Sequence, residues 1–275
     1  MHDANHGSFS KNQFFNNLFG WSMNVLGSNR ALWFQGHNVQ HHVYSGLYKC
    51  DPDELNLEPF AIVNPYSNLK KTGLHRLQAL LTIVVALIFA TAEVFIPGQW
   101  TSLHKIGFHA KNHLRFRDFI INFFTKAIVL VITYHYFYYL SFGMALFYIL
   151  LANAITGLIT VFLFELSHHY EGTKKLPQIV AGKKICWYRQ QIESSSDYGG
   201  WLACYLTGGL NYQIVHHVFP RVNSDHYPAL QPLLKAVCKK HNVHYEHFPS
   251  LWDNAKSTLS YFNRLGKSDD KIHSQ

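Results

Sequence analysis

The chain has 275 residues, 48% apolar and 16% aromatic but only 15% charged, with a formal net charge of +8 when its 19 histidines are neutral. Charge this sparse lies well under the roughly 25% of an average soluble domain and favours a lipid setting. The cations come in short groups such as Lys70-Lys71, Lys174-Lys175, Lys183-Lys184 and Lys239-Lys240, with no basic stripe or nucleic-acid motif. They suit an anionic membrane surface, and nucleic acid is excluded as a partner.

The chain opens on His2-Asp-Ala-Asn-His6, two imidazoles four residues apart and so on one face of a helix. This polar opening is not that of a cleavable signal peptide. Next comes His37-Asn-Val-Gln-His41-His42, leading to Asp51-Pro52-Asp53-Glu54. On an α-helix His37 and His41 share a face and His42 is turned by about 100 degrees, so the trio can reach two metals. The stretch from Leu77 to Phe95 is long and apolar enough for a membrane helix, although Gln78 and Glu93 weaken it. His104, His109 and His113 read as loop histidines near lipid headgroups.

Two more apolar stretches follow, from Phe119 to Phe142 with Lys126 and His135 inside it, and from Met144 to Leu166. They are separated so briefly, by Ser141-Phe142-Gly143, that they must form an antiparallel hairpin. The apolar membrane segments are thus expected at 77–97, 119–142 and 144–166. His168 and His169 end the third. Beyond Tyr170 the chain turns polar, with glycine turns at Gly199-Gly200 and Gly208-Gly209 and an amphipathic helix over Tyr227 to Lys240. A last cluster, Gln213-Ile-Val-His216-His217, again places its donors on one face. His241, His244 and His247 read as surface residues. The four cysteines, Cys50, Cys186, Cys204 and Cys238, contain no CxxC pair, which argues for a reduced, cytosol-facing chain.

Neutral imidazole binds iron, zinc, copper or nickel, and clusters spaced in this way can converge on one metal centre. Convergence constrains topology. If the second and third clusters share a site they lie on one side of the membrane, so an even number of the three apolar stretches crosses. The remaining one, 77–97 or 119–142, is interfacial or re-entrant.

The sequences HDANHGSF, GHNVQHH followed by DPD, and GGLNYQIVHHVFPR resemble the three histidine boxes of membrane fatty acid desaturases, over nearly the whole chain, residues 1–275. Glutamine at Gln213 resembles the front-end group, which acts on polyunsaturated acyl chains. The resemblance implies an all-α, multi-span membrane protein of the endoplasmic reticulum, with a cytosolic helical cap carrying a di-iron site. It implies two non-haem irons held by His2, His6, His37, His41, His42, His216 and His217, with His168 as a further ligand. His168 is preferred to His169 because relatives carry a single histidine after a small or polar residue, here Ser167. Gln213 is then a weak ligand or a donor to iron-bound water.

The implied reaction is O2-dependent desaturation of a fatty acyl lipid or acyl-CoA, with electrons from cytochrome b5 and its reductase. Docking of an acidic donor on Lys174-Lys175 and Lys183-Lys184 is one expectation, and ordinary positive-inside loops are the plainer one. Because successive methylenes are chemically alike, a narrow apolar tunnel must choose the position, and Trp33, Phe34, Tyr212 and Phe219 are candidates for its wall. A lipid hydroxylase with the same centre and a non-catalytic membrane scaffold are the alternatives. Two departures stand out. Val215 replaces the glutamate that relatives often place before the last two histidines. Met1 directly precedes His2, where relatives carry a membrane hairpin and often a cytochrome b5 domain. A fragment or N-terminally truncated chain is expected, with a loosely held first box and weak or absent activity in isolation.

Overall fold

The computed structural model describes residues 1–95, 98–107, 114–177 and 185–267. The expected loop histidines His109 and His113, and the pair Lys183-Lys184, lie outside these residues. The fold is mostly helical, and it divides into a compact cap and a pair of long apolar helices leaving it.

The cap begins with α1 (His2–His6) and α2 (Gln13–Val25), whose first turn is capped by the Asn12 side chain accepting from Phe14 N. Then α3 (Arg30–Trp33) runs without a break through a π-helical stretch, Phe34–His41, into the short α4 (His42–Tyr44). The C-terminal part of the cap is built from α9 (Trp187–Glu193), α10 (Trp201–Thr207), α11 (Gln213–Val218), α12 (Tyr227–Lys240) and α13 (Leu251–Lys267). The all-α expectation needs one amendment. Strands β1 (Ser196–Tyr198) and β2 (Glu246–Phe248) pair in parallel, with Ser196 opposite Glu246 and Tyr198 opposite Phe248. At three residues each, they are too short to show a readable period-two pattern.

Between the two halves of the cap lie α5 (Gln78–Phe95), α6 (Gly98–Lys105), α7 (Phe116–Tyr139) and α8 (Phe142–His168). Helix α5 packs closely along α8. At Gly157 an added Cβ would stand 2.1 Å from the Ala86 carbonyl oxygen, so only glycine permits this approach. Both ends of the α5–α6 segment are fastened to the cap. The buried Gln78 side chain accepts from Ile62 N and donates to the carbonyls of Ile62 and Phe262. At the far end Leu103 is buried against Leu32, and Lys105 Nζ donates to the Leu55 and Glu58 carbonyls.

Helix α7 behaves differently. It has no buried residue, and Phe116, Phe123, Leu130 and Tyr139 keep between 69% and 79% of their surface exposed. It touches the cap near its start, where Asn24 donates to Asn122 and Lys126 Nζ to the Gly27 carbonyl. It then turns within two residues into α8, which returns to the cap at His168. By length and composition alone, two helical runs could cross a membrane, Gly73–Glu93 and Phe142–His168.

Candidate metal centre

The first box is held by side chains that anchor α1. Gly7, at φ +74°, ends the helix in the left-handed conformation, with Gly7 N bonding to Ala4 O and Ser8 N to Asp3 O. The Asp3 carboxylate accepts from Ser224 N and Oγ at 3.1 and 2.8 Å, and Asn5 accepts from Arg30 Nε at 2.6 Å. The expectation of a loosely held terminus is therefore corrected. His6 is buried and His2 nearly so.

The second box departs from the α-helical geometry expected for it. In the π-helical turn hydrogen bonds run to the fifth residue rather than the fourth, a rare arrangement that concentrates at functional sites. His37 and His42, five residues apart, bring their Nε2 atoms to 3.2 Å. His37 and His41 still stack, with ring centroids 5.2 Å apart, and share one possible donor set with Asp53, but each also belongs to a separate all-histidine set. His2, His6, His37 and His216 form one group and His41, His168 and His217 another, the ligand atoms of each lying within 4.8 Å of one another. His42 sits between them, 4.7 Å from the His216 ring and 4.5 Å from the His217 ring. All eight histidines singled out from the sequence thus share one buried cluster.

Partners on the outer ring nitrogens fix the second group. His41 Nδ1 donates to both oxygens of Asp51, at 3.0 and 3.1 Å. His168 Nδ1 donates to the Ser194 carbonyl at 3.2 Å, and His217 Nδ1 to the Gln191 amide oxygen at 2.7 Å. With each proton on Nδ1, the Nε2 lone pairs must face inward. His217 Nε2 is 3.2 Å from both His41 Nε2 and His168 Nε2, and the Gln213 amide lies 3.1 and 3.3 Å from those of His168 and His217. Facing lone pairs repel unless a cation lies among them, so this donor set fits a metal. In the first group, Nε2 of His2, His6 and His216 is buried with no partner, as expected of atoms reserved for a ligand bond.

Electrostatics point the same way. Burial holds His6, His37, His42, His216 and His217 well below the ordinary imidazole range, and their mutual proximity adds to it. They stay neutral, as metal ligands must. Burial alone would lower His41 as well, but Asp51 and Asp53 outweigh it and push it up to about 9. Negative potential at that point favours a cation, be it a proton or a metal.

Sequence reasoning missed the residues that set these rings: Asp51, Gln191, the Ser194 carbonyl, and Tyr227, whose hydroxyl is 3.0 Å from His216 Nδ1. Only Asp51, inside the DPD that follows the second box, left a readable signal. His169 turns away from the cluster, its Nδ1 2.7 Å from Glu165 and its Nε2 3.6 Å from Glu54. Glu54 also pairs with the buried Lys175 and accepts from Asn64. Burial would raise the Glu54 carboxyl, but Lys175 and His169 outweigh it and bring it down to about 2.

Two cavities border the cluster. An apolar one of about 170 Å3 lies between the cap and the α5–α8 pair, lined by Trp33, His37, Val85, Phe89, Phe164 and His168 among others. A polar one of about 660 Å3 reaches His6 and His42 from the other side, with Phe34 on its wall. Of the four residues expected to form the tunnel wall, Trp33 lines the apolar cavity, stacked 4.3 Å from His37, and Phe34 the polar one. The other two are corrected. Tyr212 is core, packed with Ile214 and Leu234, and Phe219 is 38% exposed and lines neither cavity. Val215 is also fully buried in that core. His104 bonds the Trp100 carbonyl within α6, His241 and His244 are exposed, and His247 is half-buried, bonded to Lys235 and the Gly199 carbonyl.

A family model for the fatty acid desaturases matches residues 1–249. An acyl-lipid (7-3)-desaturase of Rebecca salina is 31% identical over 97% of this chain and 60% of its own length. An acyl-lipid (8-3)-desaturase of Physcomitrium patens is 27% identical over 99% of the chain and 58% of its own length. For Delta(5) fatty acid desaturase A of Dictyostelium discoideum the figures are 29%, 99% and 61%. The chain therefore spans about 60% of the length of these relatives. No solved structure matches it. With a family match across nine-tenths of its length and these relatives, the chain belongs to the fatty acid desaturase family, in its front-end branch.

Proposed function

We propose that this chain is the catalytic part of a front-end acyl-lipid desaturase that introduces a double bond near the carboxyl end of an unsaturated fatty acyl chain. The observation that carries the reading is the inward convergence of Nε2 of His41, His168 and His217, each ring held by an acceptor on Nδ1, with the Gln213 amide beside those of His168 and His217. In this reading His2, His6, His37 and His216 hold one iron, His41, His168 and His217 the other with Gln213 beside it, and His42 stands between. The relatives' names support an acyl-lipid substrate.

Iron bound here, with dioxygen, supplies the oxidising power that an unactivated methylene demands. Overall, –CH2–CH2– with O2, two electrons and two protons gives –CH=CH– and two waters. No haem, flavin or iron-sulfur motif stands in these 275 residues, and in this reading the electrons are supplied by a donor of cytochrome b5 type. Asp51, Ser194 and Gln191 orient the rings and keep them in the ligating tautomer. Trp33, Val85, Phe89 and Phe164 line an apolar cavity at His37 and His168, where they would exclude water and align the acyl chain.

The membrane arrangement follows from the same residues. Helices α7 and α8, of 24 and 27 residues, leave the cap and return to it, long enough for the roughly 30 Å hydrocarbon core. An apolar helix that buries none of its own residues needs lipid around it, so α7 crosses although Arg117, Asp118, Lys126 and His135 lower its hydropathy. Helix α5 is more apolar, but it is fastened to the cap at Gln78 and again, through α6, at Lys105, so it enters and returns. Two crossings put all three boxes on one face, the cytosolic face of the endoplasmic reticulum.

The test is expression of the chain within its full-length protein, followed by mass spectrometry of cellular lipids. Desaturation removes two hydrogens from an acyl chain. A product that instead gains an oxygen would assign a hydroxylase, and protein lacking iron would assign a scaffold.

A further inference from the structure

Of the residues lining the polar cavity, Asn5 and Arg30 anchor α1 and His6 and His42 belong to the histidine cluster, but most of its charged wall has no part in positioning the ligands. Arg30, Arg115, Arg117 and Arg221 line it, with Asp118 as the one carboxylate among its lining residues. Such a gathering of like charges is self-repelling and is relieved by an anion. Arg30 is committed to the fold, bonding Asn5 and Asn17 and lying over the Trp21 ring at 4.8 Å. The others are available. Arg117 is 67% exposed with a single 3.7 Å contact to Asp118, and Arg221 has no ion pair or hydrogen bond among the described residues. The amides of Gln13, Asn17, Gln35 and Asn38 complete a wall able to bond ester and glycerol oxygens.

We propose that this cavity binds the phosphate of the acyl carrier and so holds the headgroup end of the substrate beside the metal centre. The inference rests on the desaturase reading and extends it to the carrier. A front-end enzyme acts a few carbons from the carboxyl, so the carrier's phosphate must lie close to the metals. The apolar cavity, on the other side of the π-helical turn, is lined by no lysine or arginine among the described residues. Guanidinium recognises phosphate through paired hydrogen bonds, and about 660 Å3 is the scale of a small-molecule site rather than of a protein surface.

Two carriers share this chemistry, the phosphodiester of a glycerolipid and the phosphates of coenzyme A. Purified protein in detergent is titrated calorimetrically with sn-glycero-3-phosphocholine, with coenzyme A, and with glycerol as the uncharged control. Saturable binding of one phosphate ligand is expected, weakened about tenfold in Arg221→Gln and in Arg117→Gln and partly restored in Arg221→Lys. Circular dichroism and iron content should match the unaltered protein. The proposal is overturned if neither phosphate binds, if the Gln variants bind as well as the parent, or if they slow reduction by the electron donor with phosphate binding intact. Iron measured on the same samples separates the two readings. Iron-loaded protein that binds no phosphate sinks this proposal alone, whereas iron-free protein that binds it sinks the desaturase reading and leaves the phosphate site standing.

Discussion

The two histidine groups solve one problem in different ways. In the group of His41, His168 and His217, every ring is aimed by an acceptor on its outer nitrogen, and two of those acceptors, Gln191 and the Ser194 carbonyl, come from the buried end of α9 and the residue after it. In the group of His2, His6, His37 and His216, His216 has such a partner in Tyr227, and His2 Nδ1 has only the more distant Asp3 carboxylate, at 3.6 Å. His37 is placed instead by stacking on Trp33, and His2 and His6 by the anchoring of α1 through Asp3 and Asn5. The first strategy fixes rings one at a time, while the second fixes a backbone and lets the rings follow. The second group should therefore be the more easily disturbed from a distance, and the first the more sensitive to its own neighbours.

The largest effect tests whether both groups are needed. His217→Ala or His41→Ala, in the full-length protein, should abolish product while leaving membrane insertion intact, and His244→Ala, on the exposed surface, should change neither. Lipid analysis with membrane fractionation decides it, and equal activity in all three would contradict the ligand assignment. Next, Lys175→Met leaves the buried Glu54 with only His169 and Asn64 as partners, a loss of up to roughly 3–5 kcal/mol measurable by chemical denaturation. The same pair gives a pH signature. Because the Glu54 carboxyl sits at about 2 when folded and near 4.5 when unfolded, its contribution is present above pH 4.5 and is lost as pH falls from there toward 2. Lys175→Met should flatten that part of the stability curve.

Asp51→Asn keeps the shape but removes the charge behind His41. Iron affinity should fall by about 10- to 100-fold, read by competition with a chelator. Asp3→Ala should be milder, with a loss of about 1–3 kcal/mol in stability, because two hydrogen bonds to Ser224 disappear at a partly buried site. Its sharper readout is stoichiometry. If the first group depends on the anchoring of α1, iron should drop toward one per chain, whereas equal loss from both groups would break the contrast drawn between them.

Much of the centre was legible in the sequence because ligand spacing is local. The pairs His2/His6 and His216/His217 sit on short helices that their own spacing implies. The geometry of the second box was not legible, since nothing in FQGHNVQH distinguishes a π-helical turn from an α-helical one, and that single change of period brings His42 onto His37. The acceptors Gln191 and Ser194 lie more than twenty residues from the rings they orient, and only tertiary packing brings them together. In the apolar segments, length and hydropathy identified the helices but left open which of them cross. Gln78 counts against a membrane span by composition, and its buried hydrogen bonds to Ile62 and Phe262 show why it is there.

The most direct measurement is anomalous scattering at the iron absorption edge from crystals of iron-loaded protein. Two peaks are expected, one within bonding distance of Nε2 of His2, His6, His37 and His216, and one likewise bound by His41, His168 and His217. A single peak, or peaks away from these nitrogens, would contradict the assignment of two metals to the two histidine groups.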